Sequence, residues 1–178
     1  MSNDEILGAI KAKFANAIKE VNEFRGDLTV KVDKDSLHDF MKFLHDDSSL
    51  KFDYLVMMTA IDFPEKEERF ELVYVLRSID NKAMISVKTS TKEDEPVDSV
   101  MDIWHSANWD ERETYDMYGI KFNNHPDLRR ILMPEDWTGY PLRKDYPLKG
   151  RPEDDTYLDK HLPNGQIKRP RHTRMPLS

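Results

Sequence analysis

Apolar residues recur at three- and four-residue steps through the start of the chain, at Ile6, Ile10, Phe14, Ile18 and Val21, which predicts one amphipathic helix ending at Gly26. Ser2 and Glu5 have the spacing of a capping box for its first turn. Leu28, Val30 and Val32 then alternate with polar neighbours, as in a half-buried strand, and Leu37, Phe40, Met41 and Leu44 form a second helical stripe. Three strands are predicted next. Residues 54–62 (YLVMMTAID) are almost continuously apolar, 70–76 are rich in β-branched and aromatic residues, and 84–89 alternate after the turn signal Asp80-Asn81. Pro96, Val97, Val100, Met101 and Trp104 predict another helix, with Glu93, Asp94 and Glu95 supplying acid to its first turn. A short helix over Trp109 to Tyr118 stops at Gly119. The order of elements gives an α+β fold over residues 1–122, a mixed or antiparallel sheet packed with helices.

The pattern changes after residue 122. Eight of the ten prolines lie between Pro126 and Pro176, and the stretch PEDWTGYPLRKDYPL (residues 134–148) sets Pro, Gly and aromatics where no helix or central strand forms. Residues 123–178 are therefore expected to be an extended C-terminal arm and tail. Proline presets an extended backbone, and Trp137, Tyr140 and Tyr146 offer large contact area with few rotatable bonds. Such rings are expected to wrap the chain's own core or, better, a permanent partner.

Composition sharpens this picture. The 178 residues suffice for one ordinary core plus an extension. There is no cysteine, which excludes disulfides, thiolate zinc sites, iron–sulfur ligation and cysteine nucleophiles in this chain. Charged residues reach 34% against 38% hydrophobic, so the surface is very polar or part of the chain lies outside its own core. From Lys149 onward seven Lys or Arg face four Asp or Glu, a charge of +3, while residues 1–148 carry −10. The basic tail (Lys168, Arg169, Arg171, Arg174) has the residue types that touch nucleic acid or anionic lipid, but the acidic body argues against a duplex. No run is long and apolar enough to span a membrane, and the first residues lack the marks of a signal or transit peptide, so a cytosolic or equivalent compartment is expected.

Candidate chemistry concentrates in ERETYDMYGIKFNNHPDLRRIL, residues 111–132. On a helix Arg112 and Asp116 face the same way, whereas Glu111 and Glu113 diverge by roughly 200°. The two glutamates cannot converge on one metal from a single helix, and the Glu-x-x-His pairs of di-iron sites are missing from the sequence. Glu113 or His125 could serve as a general acid or base. No nucleophile elbow, phosphate loop or zinc-protease motif accompanies them, and six glycines leave little for a ligand cradle. The other reading is that Glu111, Arg112, Glu113 and Asp116 form ion pairs at a junction and fix its geometry.

The same cluster carries a resemblance. Glu111-Arg112-Glu113, two residues, Asp116, Met117-Tyr118, six residues, His125, three residues, Arg129, one residue and Ile131-Leu132 resemble the full signature of the C-type, 30 kDa subunit of the proton-pumping NADH:quinone oxidoreductase, respiratory complex I. The stretch 139–148 (GYPLRKDYPL) resembles that family's second characteristic segment, and 55–63 its strand ending in an acidic residue. The resemblance implies a separate, unfused, non-catalytic subunit of the peripheral arm, on the cytoplasmic face of a bacterial inner membrane and attached to it only through the complex. It implies no cofactor or metal in this chain, with NADH, flavin, iron–sulfur clusters and quinone held by partner subunits. It also implies docking on the D-type subunit, which helps form the quinone cavity, and on other hydrophilic subunits, through Glu111, Arg112, Glu113, Asp116, His125 and Arg129. Trp137, Tyr140, Arg143, Lys144, Asp145 and Tyr146 of the arm are expected to share that role. The equivalent subunit of a ferredoxin-dependent or hydrogenase-type membrane complex is the alternative the resemblance leaves open.

Overall fold

Ser2 caps the first helix as expected: its hydroxyl accepts from Glu5 N–H at 3.3 Å and its own N–H donates to the Glu5 carboxylate at 2.7 Å. A computed structural model describes residues 1–151 and Asp154. Helix α1 runs Asn3–Phe14 and buries Ile6 and Ile10. It stops there, and the stripe that predicted its continuation to Gly26 is instead strand β1, Ile18–Phe24. The reason is local. Arg25 and Gly26 both have positive φ, 54° and 90°, and form a two-residue hairpin turn that pairs β1 antiparallel with β2, Asp27–Val32. Ile18 and Val21 are β-branched and three apart, a spacing compatible with either element, and strand pairing decides.

A 3-10 turn at Lys34–Ser36 leads into α2, Leu37–Asp46, and then come β3 (Tyr54–Asp62), β4 (Phe70–Ser78) and β5 (Ala83–Thr91). The sheet order is β1-β2-β5-β4-β3, with β2 and β5 parallel and the other neighbours antiparallel. The fold is thus α+β with a mixed sheet. Leu28, Val30, Leu72, Tyr74, Leu76, Ile85 and Val87 of the sheet form one buried cluster with Ile6 and Ile10 of α1 and Phe40, Met41 and Leu44 of α2.

The helix expected over Pro96 to Trp104 is also absent. Val97–Asp98 form a short strand, β6, paired parallel with β7, Phe122–Asn123, and turns follow. Val97, Val100 and Trp104 are buried nonetheless. The Ser99 hydroxyl accepts from Met101 N–H at 3.1 Å and Val100 N–H goes to the Glu111 carboxyl at 2.8 Å, so these amides are diverted from helical bonding. Helix α3, Ala107–Tyr118, packs on β3 and ends at Gly119, whose N–H meets Tyr115 C=O at 2.8 Å.

The first compact unit is Met1–Tyr146; the second, Pro147–Ser178, is described only at its start, where a turn joins Gly150 N–H to Pro147 C=O and Arg151 pairs with Asp154 at 2.9 Å. The basic residues Lys168, Arg169, Arg171 and Arg174 lie outside the described residues.

Candidate functional junction

Helix α3 presents its charged residues to three different environments. Glu111 is fully buried: one carboxyl oxygen accepts from the Ser99 hydroxyl at 2.6 Å and the other from Val100 N–H at 2.8 Å. Burial pushes this carboxyl up to about 7 against the pull of those two bonds. Glu113 faces solvent, so the two glutamates diverge as the helical spacing requires.

Arg112 and Asp116 do not pair with each other. The Arg112 guanidinium donates to the carbonyls of Arg129 and Arg130, at 3.2 and 3.4 Å, and stacks on Trp109. Asp116, also fully buried, accepts three consecutive backbone N–H groups, from Ile131, Leu132 and Met133, at 2.8–3.0 Å. Its second oxygen takes Arg130 Nη1 at 2.6 Å. Burial alone would raise the Asp116 carboxyl, but the three amides and Arg130 outweigh it and hold it below the usual carboxylate range. The ion pair expected from the i, i+4 spacing is therefore replaced by one to Arg130, because the incoming backbone of residues 129–133 offers both residues better partners.

A second clamp holds residues 139–146. Lys144 donates its backbone N–H to Asp62 at the end of β3 (2.7 Å), and Arg69 makes two bonds to the same carboxylate, at 2.7 and 3.0 Å. Arg69 also reaches Glu93 and Asp145, both at 3.0 Å. Arg143 donates to Tyr118 C=O at 2.6 Å, pairs with Glu93, and stacks on Tyr140 at 4.4 Å from the ring centre. Leu142 N–H meets Met117 C=O at 3.1 Å. Burial opposes ionisation of Asp62, yet Arg69, Lys144 N–H and Arg143 hold its carboxyl low.

Gly119 lets the strap cross so closely. At φ 80° it occupies the left-handed region, and an added Cβ would sit 2.6 Å from the Tyr140 ring and 2.7 Å from Arg143 Nη2. Gly119→Ala is expected to cost about 2 kcal/mol of stability from backbone strain and displacement of the strap. Urea unfolding of the full chain measures it, and an unchanged midpoint would show that Tyr140 does not pack there.

Of the residues predicted for the site, Glu111, Arg112, Asp116 and His125 gather around the inner face of α3 and the segment that follows it. Tyr140, Arg143, Lys144 and Asp145 lie together over the end of β3 and α3. Arg129 pairs locally with Asp127 at 2.9 Å with its side chain 63% exposed, and Trp137 and Tyr146 are half-buried. Arg130, Arg69 and Ser99 were not singled out from sequence, and Glu93 was named only as an acid for the helix expected after Pro96. Their roles depend on contacts between distant segments, which residue spacing does not encode. Among the described residues no group of three or more His, Asp or Glu is arranged to hold a metal, and no helix is long and apolar enough to cross a membrane.

The fold is similar to that of a chain of the membrane-bound sulfane sulfur reductase, an archaeal respiratory membrane complex. The TM-score is 0.71 over 97% of this chain and 98% of that one, at 24% identity, a likeness of fold. The chain belongs to the family of the 30 kDa subunit of the respiratory-chain NADH dehydrogenase, whose pattern matches residues 30–152. Relatives named as the C-type subunit of NADH-quinone oxidoreductase include those of Citrifermentans bemidjiense and Geobacter sulfurreducens, each 47% identical over 87% of this chain and 95% of the relative. That of Roseiflexus sp. is 46% identical over 83% of this chain and 86% of the relative.

Proposed function

We propose that the chain is the C-type structural subunit of the peripheral arm of an NADH:quinone oxidoreductase, the multi-subunit enzyme that passes electrons from NADH to quinone and couples this to proton translocation. Identities near 47% to subunits of that name, against 24% to the archaeal sulfur reductase, favour this reading over a ferredoxin-dependent or hydrogenase-type complex. In this reading NADH, flavin, iron–sulfur clusters and quinone bind to partner subunits, and the chain reaches the cytoplasmic face of the inner membrane only through the complex.

One observation carries the docking role. The buried charged groups Arg112, Asp116 and Asp62 are spent inward, on the chain's own backbone, while Trp109, Leu132 and Leu142 are left 58%, 59% and 49% exposed. Apolar side chains held on a rigid frame are what a permanent interface buries. The D-type subunit is the partner in this reading, with Glu113, Arg129 and Lys144 at the polar rim. Arg112, Asp116, Arg143 and Asp145 act by setting the shape of the docking face, and His125, Trp137, Tyr140 and Tyr146 by packing behind it. Leu132→Glu is expected to reduce intact complex several-fold, judged by native electrophoresis, with the circular dichroism of the purified chain unchanged. Cross-links from this face that reach only its own chain, together with full assembly of the variant, would exclude it.

A further inference from the structure

Glu111 stands apart from the other buried carboxylates in having no cation. Asp62 pairs with Arg69, Glu71 with Lys31 and Lys88, and Asp116 with Arg130. Among the described residues no Lys or Arg nitrogen lies within 4.0 Å of the Glu111 carboxyl, and the nearest basic nitrogen is His125 Nε2, 3.9 Å from Oε2. A buried carboxylate without a cation is costly, so the neutral acid is favoured.

The surroundings suit both protonation states. Ser99 Oγ, 2.6 Å from Oε2, can accept from a carboxylic acid or donate to a carboxylate, and Val100 N–H serves Oε1 in either case. On the opposite side, His125 Nδ1 accepts from Asp127 N–H at 3.1 Å, which places the ring proton on Nε2. That Nε2 is buried and has no hydrogen-bond partner among the described residues, as is true of the Tyr74 hydroxyl of β4 and Asn108 Oδ1 of α3. A donor is therefore in place beside Oε2, with the Asn108 carbonyl as its competing acceptor and an approach of roughly 1 Å short of a hydrogen bond to the carboxyl. The groups facing Glu111 from its surroundings are Asp102, from the turns after β6, and Asp110 on α3, both of which oppose its ionisation, and the buried Tyr74 hydroxyl of β4, which the Glu111 charge helps to keep protonated. Burial also holds the His125 ring proton-poor, with Arg112 adding to that and the Asn108 carbonyl and Asp127 opposing it.

We propose that Glu111 is a reversible proton-binding site that latches the loop carrying His125 to α3. With the proton bound, the carboxyl is held by Ser99 and Val100 alone. When it is released, the carboxyl O–H bond breaks, Ser99 takes that proton as it passes its own hydroxyl proton to a buffer base, and the Ser99 oxygen turns from acceptor to donor. The charge left on Oε2 then draws in His125 Nε2–H as a further hydrogen bond. Ser99 supplies the route out, because it lines an open cleft of about 490 Å³ with His38, Asp102 and His105.

The test is a pH titration of the full chain, labelled with ¹⁵N-histidine and ¹³C-glutamate, from pH 5 to 8.5. The His125 Nε2–H signal should shift to a hydrogen-bonded position with a midpoint near pH 7, and the Glu111 carboxyl carbon should titrate at the same midpoint. Glu111→Gln should abolish the His125 step. Ser99→Ala should move the midpoint upward, since the Ser99 bond favours the ionised carboxyl over the neutral one. A Glu111 carboxyl already ionised at pH 5, or a His125 signal that is constant or titrates unchanged in Glu111→Gln, would overturn the proposal. The carboxyl signal is read on the wild-type chain and so does not depend on either variant folding.

Discussion

Asp116→Ala is expected to cost the chain about 3–5 kcal/mol of folding stability, the range for removing one partner of a buried ion pair. Three amides and one guanidinium lose their shared acceptor at once, and the Arg130 side chain, only 12% exposed, cannot turn to water without unseating its other bond to Gly139 C=O. Asp116→Asn should recover part of the loss, because its amide oxygen still accepts while its NH₂ opposes the same donors. Urea denaturation of the purified chain measures both. The same variants should lower the yield of intact complex in proportion to stability, since this carboxylate fixes the path of residues 131–133 and with them the exposed Leu132. Equal stability of Asp116→Ala and wild type would mean that the backbone of 131–133 is not anchored there.

Much of this architecture was legible in the sequence because it rests on short-range periodicity. The alternation of Leu28, Val30 and Val32, the stripe of α2, the continuous run of β3 and the stop at Gly119 each depend on neighbours a few residues away. Two misreadings share a different cause. Ile18 and Val21 fit a helical stripe, yet the left-handed turn at Arg25-Gly26 and the pairing of Val21 with Val30 settle the strand. Val97, Val100 and Trp104 have helical spacing and are buried, but the Glu111 carboxyl removes Val100 N–H from any helix. In the first place an adjacent hairpin, and in the second a tertiary partner, overrode the helical spacing. The junction was legible as a cluster and not as a wiring. That Glu111 and Glu113 diverge follows from helix geometry; that Asp116 takes Arg130 rather than Arg112 depends on how the later segment arrives, which spacing along one helix cannot supply. The strap shows the same division. Its prolines and aromatics ruled out a helix or central strand, and residues 134–146 form successive turns; their attachment to Asp62 and Arg69 joins residues separated by more than seventy positions.

Replacing Glu111 with glutamine should increase stability at neutral and higher pH and do little at low pH, the reverse of the Asp116 variants. The sign follows from proton linkage. The carboxyl sits at about 7 in the folded chain and near 4.5 when unfolded. Below about pH 4.5 it is neutral in both states and contributes no difference. As pH rises toward about 7 the unfolded chain releases the proton while the folded chain keeps it, so wild-type stability falls by up to about 1.4 kcal/mol per pH unit. Above about 7 both states are ionised and the loss levels off, on the order of 3 kcal/mol for the whole shift. Glutamine keeps both hydrogen bonds, its oxygen accepting from Val100 N–H and its NH₂ donating to Ser99 Oγ, but carries no charge to bury. Subtracting wild type from Glu111→Gln at each pH removes the common background from Asp62, Glu71 and Asp116, whose lowered carboxyls give the opposite dependence and lose their contribution as pH falls into the acid range. The difference in urea-unfolding free energy should therefore rise between pH 4.5 and 7.5 and stay level above. A difference independent of pH would mean that the Glu111 carboxyl titrates alike in the folded and unfolded chains, with its charge met in the fold by a group other than Ser99 and Val100.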